Sequence, residues 1–376
     1  MEIMVAIDSF KGSLTSVEAG NAVKEAILSL KDDAEVSVFP LADGGEGSLA
    51  ALHACMGGKI QTVSVTGPLS APVDAAYCIC ADGRTAIIEM AAAAGLPFVP
   101  PHLRNPMNTT TYGVGELIVH AIDSGCRHFI ICLGGSATND GGVGMLSALG
   151  FAFLDSNDQP IPQGAKGLSL LARIDTTKVL PQLKDCTFRV ACDVNNPLCG
   201  ANGASYVYGP QKGADDDAVM KMDQWLYNYG KLTQEISPSA DMNSPGAGAA
   251  GGLGFAFAAF LNGRLEPGIE IVLSETSIEK EMPNADLVIT GEGRVDAQTT
   301  MGKAPVGIAA LGKKYGKKVI AFCGCTGEGA ELVLQHGIDS IYPITPPDTP
   351  LEEALNPTQA YRNLRNTVQR ILRELL

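Results

Sequence analysis

The chain has 376 residues, of which 45% are hydrophobic and 18% charged, and its formal net charge is −14. That length exceeds what one hydrophobic core usually holds and predicts two domains. The acidic balance leaves no basic stripe to displace phosphate counterions and so argues against a nucleic-acid partner, although a few local cations would still serve a small anion.

Residues 3–8, IMVAID, read as a buried strand. The N-terminal MEIMVAIDSF has no basic stretch ahead of a long apolar core, so it reads as a strand and not a signal peptide. Thr15 and Glu18 form a capping box for a helix over 15–30, with Ala19, Val23, Ala26, Ile27 and Leu30 on one apolar stripe. The strand EVSVFPL then runs into ADGGEGSLAAL, a glycine-rich loop with a helix after it. The middle of the chain changes character. YCICADGRTAIIEM sets two alternating runs around Asp82-Gly83, a hairpin signal, GFAFLDSNDQPI reads as a second hairpin, and CTFRVACDV is a strand ending in an acid. PGAGAAGGLGFAFAAFL is glycine-rich and too short to span a bilayer. Near the end, ADLVITGEGRVD and KKVIAFCGC are again apolar strands entering glycine-rich loops, and DSIYPIT is a further strand. A last helix starts near Asn356-Pro357 and carries Tyr361, Leu364, Val368, Ile371 and Leu375 on one face.

Strand, loop and helix in series at both ends predict a parallel sheet with covering helices, and hairpins in the middle predict antiparallel pairing. The expected fold is therefore α/β: a Rossmann-like parallel-sheet domain from residues 1–65 and 283–376, with a mixed-sheet α/β domain of residues 66–282 inserted into it. The ten cysteines show no CxxC spacing and sit mostly in apolar runs. They read as reduced, core-filling residues of a cytoplasmic protein and not as a disulfide framework or zinc site.

Function is expected where strands of a parallel sheet give way to loops, because ligands bind at that edge and helix N-termini there favour phosphate. Five loops qualify: DSFKGS, ADGGEGS, GGSATNDGGVG, CDVNNPLCG and GEGRVDAQ. None is a Walker A sequence or a clean GxGxxG, and the missing dinucleotide fingerprint argues against a dehydrogenase. No histidine stands in these loops and no GxSxG is present, which disfavours a serine hydrolase. A non-catalytic sensor would have little use for so many loop carboxylates. What remains is carboxylates, one or two cations and backbone N–H groups, the parts of Mg²⁺-assisted phosphoryl transfer. Lys11 reads as a phosphate clamp or a solvated lysine. Asp8 and Asp43 read as Mg²⁺ ligands or helix caps, and Asp193, followed by Asn195-Asn196-Pro197, as a site residue or a turn former. Glu292, Arg294 and Asp296 alternate and would share one side of the strand if it continues.

Six segments carry a resemblance: DSFKGSLTS, PLADGGEGS, GGSATNDGGVGML, CDVNNPL, GAAGGLGFA and ITGEGRVDAQT. In this order, over essentially the whole chain, they resemble the bacterial class I glycerate kinases. The resemblance implies ATP-dependent phosphorylation of D-glycerate, giving 2-phosphoglycerate in most of the family, by two α/β domains flanking an active-site cleft. Its DSFKG motif falls on Asp8–Gly12 and its GEGRxD motif on Gly291–Asp296. Chemistry suggests the individual roles: catalysis by Lys11, Asp193 and Asp296; substrate binding by Arg294, Asp8 and Ser9; ATP binding by Gly134, Gly135, Ser136, Thr138, Asn139 and Asp140; and Mg²⁺ binding by Asp43 and Glu292. Small-molecule substrates are expected, without nucleic acid or membrane. Which loop takes ATP and which takes glycerate stays open, as does the oligomeric state, a homodimer among the options.

Overall fold

The computed structural model describes residues 1–42 and 44–375. The chain separates into two compact units, one of Met1–Asp43, Ala50–Gly57 and Pro267–Leu376, the other of Gly44–Leu49 and Gly58–Glu266. The first carries a five-stranded sheet in the order Ser340–Pro343, Lys318–Thr326, Leu287–Val295, Glu2–Ile7, Glu35–Pro40. Every pairing in it is parallel. A parallel sheet is covered on both faces, so its strands must be apolar on both sides; Val5, Ala6, Ile7, Val288 and Ile289 are accordingly buried.

Helix Ser16–Leu30 begins where the capping box places it. The Thr15 hydroxyl accepts from the Glu18 amide at 3.2 Å, and the Thr15 amide donates to the Glu18 carboxylate at 2.9 Å. Its stripe Ala19, Val23, Ala26 and Ile27 joins one core with Ala360, Leu364, Val368, Ile371 and Leu372 of helix Pro357–Leu375. The stripe on that last helix stops at Leu372, and Leu375 is exposed. Helix Ala304–Lys314 packs on the central strands as well. The strand from Leu287 does continue to Val295, through the glycines, because Gly291 lets the neighbouring strand come close: a Cβ there would lie 2.0 Å from the Phe322 carbonyl oxygen.

The second unit holds a six-stranded mixed sheet ordered Arg264–Glu266, Thr187–Ala191, His128–Cys132, Thr85–Glu89, Pro72–Ile79, Lys59–Thr66. The first four strands run parallel, and the last two add antiparallel pairs. The hairpin at Asp82-Gly83 forms, with Gly83 at φ +67° and the Asp82 carboxylate accepting from the Arg84 and Thr85 amides. The second expected hairpin differs. Ala152–Leu154 pairs with Arg173–Asp175, and only a single bridge links Leu154 to Pro160. The chain does turn back, with the Asp155 carboxylate accepting from the Asn157 and Gln159 amides and the Ile161 amide donating to the Phe153 carbonyl at 3.0 Å, but Pro160 and Pro162 have no N–H with which to extend a return strand.

The division between the units falls at Gly57/Gly58 and Glu266/Pro267, ahead of the expected 65 and 283. Strand Lys59–Thr66 pairs along its whole length with Pro72–Ile79, and helix Gly268–Glu275 packs on Ala304–Lys314. Gly44–Leu49 belongs to the second unit, where the Leu49 amide donates to the Glu89 carboxylate at 2.7 Å. None of the ten cysteines is in a disulfide, and only Cys325 is exposed. Among the described residues no helix is long and apolar enough to cross a membrane.

Candidate active site

In the first unit a cavity of about 300 Å³ opens where the strands ending at Ile7, Val295 and Thr326 meet their loops. The loop after Ile7 prolongs the sheet by one bond, from the Asp8 amide to the Gly291 carbonyl at 2.9 Å, and then closes a turn in which the Phe10 amide donates to the Leu14 carbonyl. Gly12, at φ +85°, completes the turn and leaves Lys11 exposed at its tip. Gly293 passes beneath this loop; a Cβ there would stand 3.0 Å from the Lys11 amide nitrogen. The cavity thus brings together Asp8, Ser9, Lys11, Glu292 and Arg294, five of the residues singled out in the sequence. Its opposite wall is apolar and includes Ile344, Leu351 and Leu355.

Glu292 is the buried acid of this cavity. Its Oε1 accepts from the Thr299 hydroxyl at 2.6 Å, and its Oε2 lies 3.7 Å from the Lys303 ammonium. Burial pushes the Glu292 carboxyl above its ordinary value; Thr299, Lys303 and Lys11 oppose that rise, and the charge of Asp296 adds to it. Asp296 itself does not line the cavity. It caps the short helical turn Ala297–Met301, its carboxylate accepting from the Gln298 amide at 2.9 Å, and it pairs with the Arg294 Nε at 3.3 Å. The Arg294 side chain is 65% exposed, so this pair contributes at most about 1 kcal/mol and leaves the guanidinium available. Lys303 and Thr299 escaped the sequence reading. TTMGKAP has no periodicity that separates a site lysine from a solvated one.

In the second unit the glycine-rich loop after His128–Cys132 packs against Gly44-Gly45, and Gly44 in turn against Ala191 at the end of Thr187–Ala191. The Gly134 amide donates to the Gly44 carbonyl at 3.1 Å, a Cβ on Gly134 would meet the Gly45 Cα at 2.4 Å, and Gly44 abuts Ala191 just as tightly. The glycines here serve backbone-to-backbone packing first. The expected polar contacts need correction in part. Asp140 is buried, its Oδ2 accepting from the Thr111 amide and hydroxyl, both at 2.9 Å, and from the Gly144 amide at 3.2 Å, its Oδ1 from the Gly142 amide at 3.2 Å. The Asn139 amide donates to the Ser205 hydroxyl at 2.9 Å, and Thr138 is wholly buried. These three side chains point into the fold, and the loop meets solvent through Gly134, Gly135 and, marginally, Ser136. Replacing Asp140 by Ala leaves four donors without their acceptor, so a loss of at least about 3 kcal/mol is expected in a denaturant melt.

One lysine that the sequence did not flag sits beneath this loop. Lys212 is 2% exposed, and its ammonium donates to the Ser136 Oγ at 2.8 Å and the Thr138 carbonyl at 2.7 Å. Burial pushes it down to about 7, against the field of Asp140. GPQKGADD, where it stands, looks like an ordinary polar turn. Asp193 follows Thr187–Ala191 in the same unit and is exposed; Asp43 lies outside the described residues.

The profile of the Glycerate kinase family matches residues 3–376. The chain belongs to the glycerate kinase family. It is 44% identical to the Glycerate kinase of Haemophilus influenzae over 375 residues, covering 100% of this chain and 99% of that one. It is also 44% identical to the Glycerate 2-kinase of Escherichia coli over 373 residues, 98% of each. A crystal structure from Salmonella typhimurium LT2, provisionally assigned as glycerate kinase 2, superposes with a TM-score of 0.89 at 44% identity, covering 100% of this chain and 98% of that chain.

Proposed function

We propose that the protein transfers the γ-phosphoryl group of ATP to D-glycerate and forms 2-phosphoglycerate. The observation that carries this reading is the first unit's cavity, which holds a buried, raised carboxyl beside cations and an exposed guanidinium. The name of the Escherichia coli relative supports the 2-position. Arg294 suits the glycerate carboxylate, because a guanidinium matches that fork with two parallel hydrogen bonds. Glu292 takes the proton of the attacking hydroxyl: its raised basicity suits a general base, and Thr299 orients it. This moves Glu292, expected as a Mg²⁺ ligand, to the catalytic role expected of Asp296, which is engaged as a helix cap. Lys11 and Lys303 offset charge on the transferred group. With the Gly134 amide committed to the Gly44 carbonyl, the Gly135 and Ser136 amides are the ones that suit a phosphate of ATP.

Mg²⁺ fits the residues present. Among the described residues no cluster of three or more His, Cys, Asp or Glu exists, which a protein-only cage would need. A phosphate-borne Mg²⁺ needs only one or two carboxylates. Asp8 and Glu292 are the two carboxylates lining the cavity, and Asp8, whose Oδ1 accepts from the Ser9 amide at 2.6 Å, stands at the end of the first strand. Asp8 would hold the ion, which when bound neutralises phosphate charge.

Arg294→Lys is expected to raise KM for glycerate on the order of tenfold and leave KM for ATP nearly unchanged, because it loses the paired hydrogen bonds but keeps the charge. Steady-state kinetics with each substrate varied in turn checks this. Phosphorus NMR of the product formed from ATP, Mg²⁺ and D-glycerate tests the reaction itself. The phosphoester signal of 2-phosphoglycerate is expected; 3-phosphoglycerate would overturn the position, and no phosphoester would overturn the activity.

A further inference from the structure

Lys212 has no evident use as a structural residue that a neutral donor would not serve more cheaply, since an isolated buried ammonium is costly. Its two contacts suggest why a cation stands there. An ammonium has only donors, so the Ser136 oxygen must accept from it, and the serine hydrogen must then point elsewhere. Ser136 is 8% exposed at the loop surface while Lys212 is 2% exposed, so the serine and not the lysine can reach a ligand. The second bond, to the Thr138 carbonyl, fixes the loop on the far side of Ser136.

We propose that Lys212 is a positioning residue for the reaction: by donating to the Ser136 oxygen it holds the serine hydroxyl outward as a polarised donor for an anionic oxygen of a bound substrate. That oxygen belongs to a phosphate of ATP or to the carboxylate of glycerate. The inference rests on reading the 134–140 loop as an anion site. Charge-assisted donors are roughly twice as strong as neutral ones, which is the gain that justifies burying the lysine.

The arrangement has a pH signature. Asp140 is the charged group whose field reaches Lys212, and Tyr229, from helix Asp216–Ile236, is the other buried titratable side chain beside that carboxylate. With burial setting Lys212 near 7, the ammonium prevails below that pH. Above it the neutral amine gains a lone pair, can accept the Ser136 hydrogen, and draws the hydroxyl inward. Binding of the dependent substrate therefore weakens as pH rises through about 7. A bound anion favours the ammonium, so the loss shifts to higher pH in the complex.

The test uses the full-length enzyme as wild type, Lys212→Met, Ser136→Ala and the double variant. KM for ATP and for glycerate are measured separately from mildly acidic to mildly alkaline pH, with a melting curve for each variant. Each single substitution is expected to raise one of the two KM values on the order of tenfold, with the double variant no worse than either. The substrate whose KM responds identifies the oxygen. The alkaline rise of that KM is expected to vanish in Ser136→Ala. Additive effects in the double variant, or an alkaline rise that persists in Ser136→Ala, would overturn the positioning role while leaving the loop a site. Unchanged kinetics in Ser136→Ala would overturn the anion-site reading as well. Should Lys212→Met fail to fold, the Ser136→Ala pH profile decides alone.

Discussion

Glu292→Gln is expected to lower kcat by about 10²- to 10⁴-fold, the usual contribution of a positioned general base. The substitution is close to isosteric, and the amide oxygen can still accept from the Thr299 hydroxyl. Stability separates this role from a merely structural one. Because burial raises the Glu292 carboxyl, ionising it costs more in the folded than in the unfolded chain. That cost is absent below the unfolded value and fully present above the folded one, so stability contributed by this group falls as pH rises through that window. Removing the charge should therefore hold or raise Tm at neutral pH. Activity runs the opposite way: a base must be ionised, so kcat/KM of the wild type should fall as pH drops through the raised value, and this acid limb should be missing in Glu292→Gln. A variant with lowered Tm and wild-type kcat would instead make Glu292 a structural partner of Lys303.

Lys11→Ala is expected to lower kcat on the order of 10²-fold, because a cation that offsets charge developing in the transition state acts on the rate more than on ground-state binding. The lysine stands exposed at a turn whose backbone shape depends on Gly12 and on the bonds between Phe10 and Leu14. Alanine satisfies that backbone equally, so Tm should shift by no more than an ordinary surface substitution does, within about 0.5 kcal/mol of stability. Steady-state kinetics beside a melting curve checks both statements. An unchanged kcat would return Lys11 to the solvated lysines.

Local rules were readable before the structure. The Thr15–Glu18 box and the Asp82-Gly83 turn each depend on a few neighbouring residues, and both form as expected, whereas of the alternating Glu292, Arg294 and Asp296 only the first two line the cavity, because the strand ends at Val295. What escaped depends on partners far along the chain. Asp140 reads as a loop acid until Thr111, twenty-nine residues away, arrives to bury it. Lys212 reaches Ser136 across seventy-six residues, and nothing near it in sequence signals that contact. The edge strand Lys59–Thr66 looks like the tail of the first unit until its antiparallel partner is known. Asp296 is a different case, since an Asp two residues ahead of the Gln298 amide is a readable cap, and its place in an acidic, alternating motif drew attention to catalysis instead.

Glu292 is expected to serve as the base when phosphate passes from ATP to glycerate. ADP release in the presence of ATP and Mg²⁺ tests it most directly, with and without D-glycerate, in wild type and Glu292→Gln side by side. Release is expected to depend on D-glycerate and to fall by about 10²-fold or more in the variant, with the folded fraction intact. Release without glycerate, or equal rates in the two proteins, would contradict it.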